Sequence, residues 1–412
     1  MSGVRTIRTR CCIAGGGPAG MMLGLLMARQ GVEVVVLEKH ADFLRDFRGD
    51  TVHPSTLELM HELGLLDRLL ALPHQAVDRI GMRFGERDIR LADLRHLPTR
   101  CKFMAFMPQW DFLNLLASEA GKYPSFTLMM RTEATAPIEQ DGRVRGVVAQ
   151  GPEGGIEVRA DLTVGADGRH SILRDASGLP VKDFGAPMDV LWFRLPRRPE
   201  HGDQPLGRFG RGQILVLIGR GDSWQCGYII PKGENDRIRA AGLPRFRRSI
   251  ADFAPALATE IEALADWDAI KLLTVQVNRL ERWHRPGLLF IGDAAHAMSP
   301  IAGVGINIAV QDAVAAANIL AGPLARGTFE DALLRRVQER RDRAARITQR
   351  LQLTIQNRII SGILTDDRPV EPPLLFRLFD AIPLLRRLPA RLIGLGIRPE
   401  HVAGAPKKSP DG

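Results

Sequence analysis

The stretch that decides the fold is Cys11-Cys12-Ile13-Ala14-Gly15-Gly16-Gly17-Pro18-Ala19-Gly20, an apolar run that breaks off into a glycine turn. An apolar helical pattern follows from Met21 to Arg29, and a second apolar run, Val32 to Leu37, ends at Glu38. Strand, glycine turn, helix, strand and acid, in that order, specify a dinucleotide-binding βαβ unit. In this reading Gly15 permits the tight turn, Gly17 admits a pyrophosphate to the backbone, and Gly20 lets the helix pack on the strand. Pro18 and Ala19 open that helix, whose free N–H groups and partial positive charge face the phosphates. Glu38, 18 residues after Gly20, stands where a carboxylate accepts hydrogen bonds from both ribose hydroxyls. A 2′-phosphate would meet that carboxylate, which argues against NADP here and leaves FAD or NAD.

Around this unit the chain has 412 residues, 45% hydrophobic and 25% charged, enough for two subdomains with shared cores. The net charge of +9 is carried by dispersed arginines, without zinc-finger spacing, a basic helix or aromatic-basic interleaving. Surface charge and anionic ligands account for it, and no nucleic-acid partner is expected. Cys11, Cys12, Cys101 and Cys226 show no paired spacing, so neither a disulfide framework nor a metal site is expected. The basic start, Arg5 to Arg10, runs into the βαβ pattern rather than a secretory signal core. No uninterrupted apolar run reads as long enough to span a bilayer, so the expected location is cytoplasmic. Oligomeric state is not legible.

The pattern along the chain predicts an α/β fold: a Rossmann-like nucleotide-binding domain, an inserted substrate domain of sheet and helices, and C-terminal helices. The expected boundaries are 1–80 and 81–180 for the first two parts of the nucleotide domain, 181–275 for the substrate domain, 276–325 for the completed nucleotide domain, and 326–412 for the tail. Helices are expected at Ser55–Gly64, Gln109–Ala120, Arg237–Leu264, Asn307–Ala321 and Phe329–Leu364. Strands of the substrate domain are expected at Val190–Leu195, Ile214–Ile218 and Gln225–Ile230. The tail, Pro372 to Ile397, mixes leucine and arginine clusters. It reads either as an amphipathic pair resting on an anionic membrane or as a helix docked on the body with arginines outward. Its prolines favour the second.

Two further motifs follow apolar strands. Val164-Gly165-Ala166-Asp167-Gly168-Arg169-His170-Ser171, with Arg174 beyond, offers an aspartate that holds a turn whose amides face a diphosphate or ribose. Gly292-Asp293 follows Leu288–Ile291 and offers a carboxylate to a polyol hydroxyl. Pro300-Ile301-Ala302-Gly303-Val304-Gly305-Ile306-Asn307 is a glycine loop opening a helix, whose first amides can stabilise negative charge.

These motifs, in this order, resemble the class A flavoprotein aromatic hydroxylases, the superfamily of para-hydroxybenzoate hydroxylase and the ubiquinone-biosynthesis hydroxylases. The resemblance covers Thr6 to Leu320. It implies FAD, with Gly15, Gly17 and Gly20 at its diphosphate and Glu38, beside Lys39, at the adenosine ribose. Arg48 resembles the arginine that reaches the cofactor, Gln109 a glutamine near the ribityl chain, and Asp293 a ligand of that chain or the diphosphate. Asp167 belongs to the same cradle; Pro300, Gly303, Gly305, Ile306 and Asn307 would line the flavin ring.

The implied reaction is an NADH- or NADPH-driven hydroxylation of an aromatic or polycyclic substrate by O2 through a C4a-hydroperoxyflavin, without a metal. No second glycine-rich fold is visible, so NAD(P)H would dock transiently, with Asp167–Arg174 contributing. Trp192, Phe193, Trp224 and Tyr228 lie on predicted substrate-domain strands, either lining the pocket or packing the sheet. His53 and His296 are the ionisable groups nearest the motifs; His296 suits a hydrogen bonder beside the Gly-Asp turn, and neither is assigned as a base. Tyrosine occurs only at 123 and 228, which suits a large or apolar substrate such as a polyketide or quinone precursor.

Other readings share parts of the pattern. A flavin halogenase wants Trp-x-Trp-x-Ile, from which Trp224-Gln225-Cys226 departs, and a pocket lysine, which residues 41–100 lack. A prenyl-reductase relative shares the cofactor fold and saturates a double bond without oxygen. A nucleotide- or nucleic-acid-binding regulator would use the charge but leave the Gly-Asp loop without a role.

Overall fold

Arg5–Ala14 is the central strand of the parallel part of a mixed eight-stranded sheet, flanked by Val34–Glu38 on one side and Gly154–Gly165 on the other. The computed structural model describes residues 5–44, 51–201, 206–365 and 370–404. Phe126–Met130 extends the sheet beyond Val34–Glu38, and Leu288–Phe290 extends it beyond Gly154–Gly165, both parallel. Val34–Glu38, Leu288–Phe290 and the carboxyl-terminal ends of Arg5–Ala14 and Gly154–Gly165 are covered on both faces, which is why the apolar runs of the sequence fall there. The chain leaves the central strand through helix Pro18–Arg29 to one side and returns much later on the other. Strand order therefore reverses between Arg5–Ala14 and Gly154–Gly165, and a crevice opens at their carboxyl ends.

Helix Pro18–Arg29 lies flat on this sheet: a Cβ on Gly24 would meet Phe126 and Val36 at 2.9 Å. Beside it runs Gly305–Ala325. The stretch Ile301–Ala325 is long and apolar enough to cross a bilayer, contrary to the sequence expectation. It is nevertheless a core element, since Val310, Ala313, Val314, Ala317 and Leu320 are buried against the first helix and the sheet.

The second sheet is mostly antiparallel, in the order Lys271–Leu273, Met188–Pro196, Ser223–Pro231, Gln213–Arg220, Gly207–Gly210, Arg79–Phe84 and Arg87–Asp93. The last two strands correct the expected boundaries, which left them in the nucleotide domain. Gly207–Gly210 would otherwise be an open edge; the Arg79–Asp93 hairpin pairs with it in parallel, and Phe84 stacks on Phe209 at 4.5 Å.

The expected helix over 237–264 is divided. Asn235–Ala240 and Leu243–Phe253 are separate helices with short 3-10 turns after them, because Pro244 opens the second helix and Pro255 follows it. The long helix after Phe329 runs as Ala332–Ile355, widens into a π-turn over Gln356–Ile360, and closes with Ser361–Thr365. Ile360 and Ile363 are buried in one cluster with Val190, Ile214 and Ile229 of the second sheet. The C-terminal region is thus packed into both sheets rather than appended to them.

Candidate functional site

At the reversal of strand order the three motifs meet. Gly15 has φ +105°, and a Cβ there would press on the backbone of Ala166 and Asp167. A Cβ on Gly20 would lie against the Gly15 carbonyl oxygen, so the turn and helix approach as only glycine allows. The strand ends are laced by hydrogen bonds: Gly15 N to Leu37 O (2.8 Å), Ala166 N to Ala14 O (2.8 Å) and Ile291 N to Gly165 O (3.1 Å). A Cβ on Gly292 would meet Ala19 and Ala309 at 3.2 Å, which seats the Gly-Asp turn on the first helix.

Glu38 is buried at the end of its strand and latches the glycine turn. Its Oε2 accepts from Gly16 N (3.0 Å) and its Oε1 from His40 N (2.9 Å). Lys39 instead sends its ammonium to Glu133 on the surface at 3.4 Å. Gln109 is half-buried at the first position of its helix, after Pro108. Arg48 lies outside the described residues. Burial pushes the Asp167 carboxyl pKa up, although Ser171 and the amides of Ile172 and Leu173 pull the other way. Its Oδ1 is buried without a hydrogen-bond partner among the described residues.

Several partners here were beyond the reach of the sequence. Arg169 Nη2 donates to Asp293 Oδ2 at 3.0 Å, joining the second motif to the third. Arg174 is buried, with Nη2 on Arg169 O (2.6 Å) and Nη1 near Asn278 and Ala294 O (3.4 Å each). It braces the turns and is not available to a visiting nicotinamide. His296 is the hydrogen bonder expected beside the Gly-Asp turn, its Nε2 on Asp312 Oδ2 at 2.6 Å. The same oxygen accepts from Gly292 N (3.1 Å), and Asp312 Oδ1 accepts from Arg341 Nε (2.9 Å). Burial alone would raise the Asp312 pKa; His296 and the Arg341 guanidinium outweigh it and hold the carboxyl below its ordinary range.

The Pro300–Asn307 loop carries stored conformation. Ala302 and Gly303 both have φ +61°, and left-handed backbone at alanine marks a constrained site. Gln352 clamps the loop, accepting from Ser299 N (3.2 Å) and donating to Ser299 O (2.9 Å) and Ile301 O (3.0 Å). Gly305 opens the long helix, so the amides of Gly305, Ile306 and Asn307 have no partner within it. The Asn307 side chain is occupied: Oδ1 accepts from His53 N (2.9 Å) and Thr56 Oγ1 (2.6 Å), and Nδ2 donates to Thr51 O (3.3 Å). His53 is fully buried beside this loop and donates Nδ1–H to Ile393 O at 2.6 Å. Burial lowers its pKa to about 4, against the pull of the Ile393, Gly303 and Ala302 carbonyls, so the ring is neutral at ordinary pH.

The expected substrate aromatics fall on opposite faces of the second sheet. Trp224 and Tyr228 point outward, beneath Leu243–Phe253: Tyr228 packs edge-on to Phe246 at 5.5 Å, and its hydroxyl accepts from Gln213 Nε2 at 3.1 Å. Trp224 lies under Arg197 at 4.6 Å and donates to His201 at 3.3 Å. Phe193 shares that outer core. Strand alternation accounts for this, since Trp224, Cys226 and Tyr228 all share one face. Trp192 points inward, packed against the cluster that also takes Ile301 and Leu353. Gly227 makes room for its ring, and the indole Nε1 is buried without a hydrogen-bond partner among the described residues.

The geometry suits a dinucleotide whose diphosphate crosses the glycine turn. A Cβ on Gly17 or Gly305 would meet no atom within 4 Å, so space stands open where phosphate and ring would lie. No group of three or more His, Cys, Asp or Glu side chains suited to a metal ion occurs among the described residues.

The sequence model of a family described as FAD binding domain matches residues 8–351. A 6-methylpretetramide 4-monooxygenase of Streptomyces rimosus is 34% identical over 350 residues, covering 82% of each chain. A 12-dehydrotetracycline 5-monooxygenase/anhydrotetracycline 6-monooxygenase of Streptomyces rimosus subsp. rimosus is 29% identical over 318 residues, covering 73% of this chain and 60% of that one. Among solved structures, p-nitrophenol 4-monooxygenase from Pseudomonas putida DLL-E4 shares the fold, with TM-score 0.77 at 18% identity over 96% of this chain and all of the other.

Proposed function

This chain belongs to the FAD-binding family of class A flavoprotein aromatic hydroxylases and is an FAD-dependent monooxygenase; we propose that it hydroxylates a polycyclic aromatic substrate with NAD(P)H and O2. The observation that carries this is the meeting of Gly15–Gly20, Asp167, Gly292–Asp293 and Gly303–Asn307 at one crevice, with Trp192 on the inward face of the second sheet. Bound FAD supplies the oxygen chemistry, with one oxygen atom entering the ring, the other leaving as water, and NAD(P)H giving the electron pair.

The chain's residues bind, orient and exclude water. The first-turn amides after Gly17 hold the diphosphate, and Glu38 keeps the glycine turn shaped while facing the ribose. Asp293, held by Arg169, addresses the ribityl chain. The amides of Gly305 to Asn307 face the pyrimidine side of the ring and favour negative charge there. The buried Trp192 N–H donates to a substrate oxygen, and the apolar surroundings of Ile301, Met82 and Leu353 keep water away from the reacting atoms. A polycyclic substrate follows from two supports: the inward face is apolar, with its one tryptophan in place of tyrosines, and two relatives act by name on pretetramide and anhydrotetracycline compounds.

The test is purified protein with its bound flavin, given NADH or NADPH and a panel of phenolic polycycles. The expected result is reduced-nucleotide oxidation stimulated by one of them, with hydroxylated product formed in step. Saturation of a double bond without oxygen consumption would replace this reading with a reductase.

A further inference from the structure

The last two described helices present leucines to solvent. Leu374, Leu375 and Leu378 of Leu374–Ala381 are exposed, as is Ile382 after it; Leu384 of the turn Pro383–Arg386 and Leu388 and Leu392 of Arg387–Gly394 are exposed as well. Their exposure runs from 37% to 79%, and they are seven of the 13 large hydrophobic residues exposed among the described residues. Within the helices, Leu374 and Leu378 are four residues apart, as are Leu388 and Leu392, which places each pair on one face.

The opposite faces are apolar too and already used. Phe376 packs edge-on to Phe84 at 6.0 Å, and Gly394 lies so close to Leu97 and Pro54 that a Cβ would clash. The helices are therefore fixed to the body with a second apolar side left over. Monomeric proteins rarely leave so much aliphatic surface gathered in one place without a partner.

The charge around this face says what covers it. Arg377, Arg387 and Arg391 are exposed and form no ion pair among the described residues, while Asp380, the one acid in residues 374–392, is held by Arg90 at 3.1 Å. Against the same helices, Arg79, Arg90, Arg95 and Arg386 line a cavity of ≈ 210 Å³ in which Asp93 is the one carboxylate. A second copy of the chain would bring these arginines together, with Asp380 and Asp93 already taken by Arg90 and Arg95.

We propose that this face seats the protein on an anionic phospholipid bilayer. The leucines enter the acyl boundary, the exposed arginines rest among the headgroups, and the arginine-lined cavity takes a headgroup phosphate.

Full-length flavin-loaded protein is floated with vesicles of phosphatidylcholine alone, or with phosphatidylglycerol added. The protein should rise with the anionic vesicles and stay behind with the neutral ones. Arg387→Ala with Arg391→Ala should lower the vesicle partition coefficient by about fivefold per arginine. Leu378→Asp with Leu388→Asp should abolish flotation while bound flavin and melting temperature hold. Leu374→Ser with Leu384→Ser, at positions 79% and 63% exposed, should weaken it in the same sense. No flotation with anionic vesicles would overturn the proposal. So would a wild-type dimer in solution that the Leu378→Asp, Leu388→Asp pair splits, since the face would then belong to a second copy.

Discussion

At the scale of single residues, two glycines in the same turn answer to different pressures. Gly20 is hemmed by backbone and Gly17 borders open space. Gly20→Ala should lower folding stability by roughly 1–3 kcal/mol through overpacking and release the flavin with it. Gly17→Ala should cost the apoprotein less than about 1 kcal/mol as a helix-cap change, yet weaken FAD binding about tenfold or more by occupying the diphosphate's space. Thermal melts of the apoproteins and flavin titrations separate the two. His53 makes a pH prediction. Its folded pKa, about 4, lies below the ordinary 6.5, so the unfolded chain holds more protons between those values. Stability from this group is full above pH 6.5 and is lost as pH falls toward 4, by about 3 kcal/mol in all. His53→Asn keeps a donor for Ile393 O and should flatten that part of a denaturant-derived stability profile. If the slope persists in the variant, His53 is not its source.

Among elements, the Asp312–Arg341–His296 cluster fastens the Gly-Asp turn to the Gly305–Ala325 and Ala332–Ile355 helices. Asp312→Ala leaves the buried Arg341 guanidinium with Glu400 (3.3 Å) as its remaining ion-pair partner and takes the acceptor from His296 Nε2; it should cost about 3 kcal/mol in chemical denaturation, with weaker flavin binding because Gly292 N loses its acceptor. Trp192 and Tyr228 make a contrasting pair on one sheet. Trp192→Phe removes the buried N–H and should raise the substrate KM about tenfold, whereas Tyr228→Phe should cost about 1 kcal/mol of stability and leave KM alone. The glycine turn, the Gly-Asp turn and the helix opened by Gln109 were legible in the sequence because neighbouring residues dictate them. The face taken by Trp224 and Tyr228 was not. Both sides of the second sheet are buried, so alternation of polarity, the usual guide to inside and outside, is missing. Arg169 with Asp293 and Asp312 with Arg341 join residues distant along the chain, and no local signal links them.

For the molecule as a whole, two sheets share one crevice, and the chain crosses between them repeatedly. The Arg79–Asp93 hairpin illustrates why the domain boundaries were hard to read: its partner strand arrives more than a hundred residues later. Binding of the cofactor links turns from both ends of the chain, so stripping FAD should lower the melting temperature of the entire molecule, by an amount that grows with the FAD concentration it is compared against. Oxygen insertion is tested by turnover of the flavin-loaded enzyme under isotopically labelled O2, with mass spectrometry of the product from a polycyclic phenol and NAD(P)H. One labelled oxygen atom is expected in each product molecule for each NAD(P)H oxidised. A product that carries no label, or one that has gained hydrogen instead of oxygen, would contradict it.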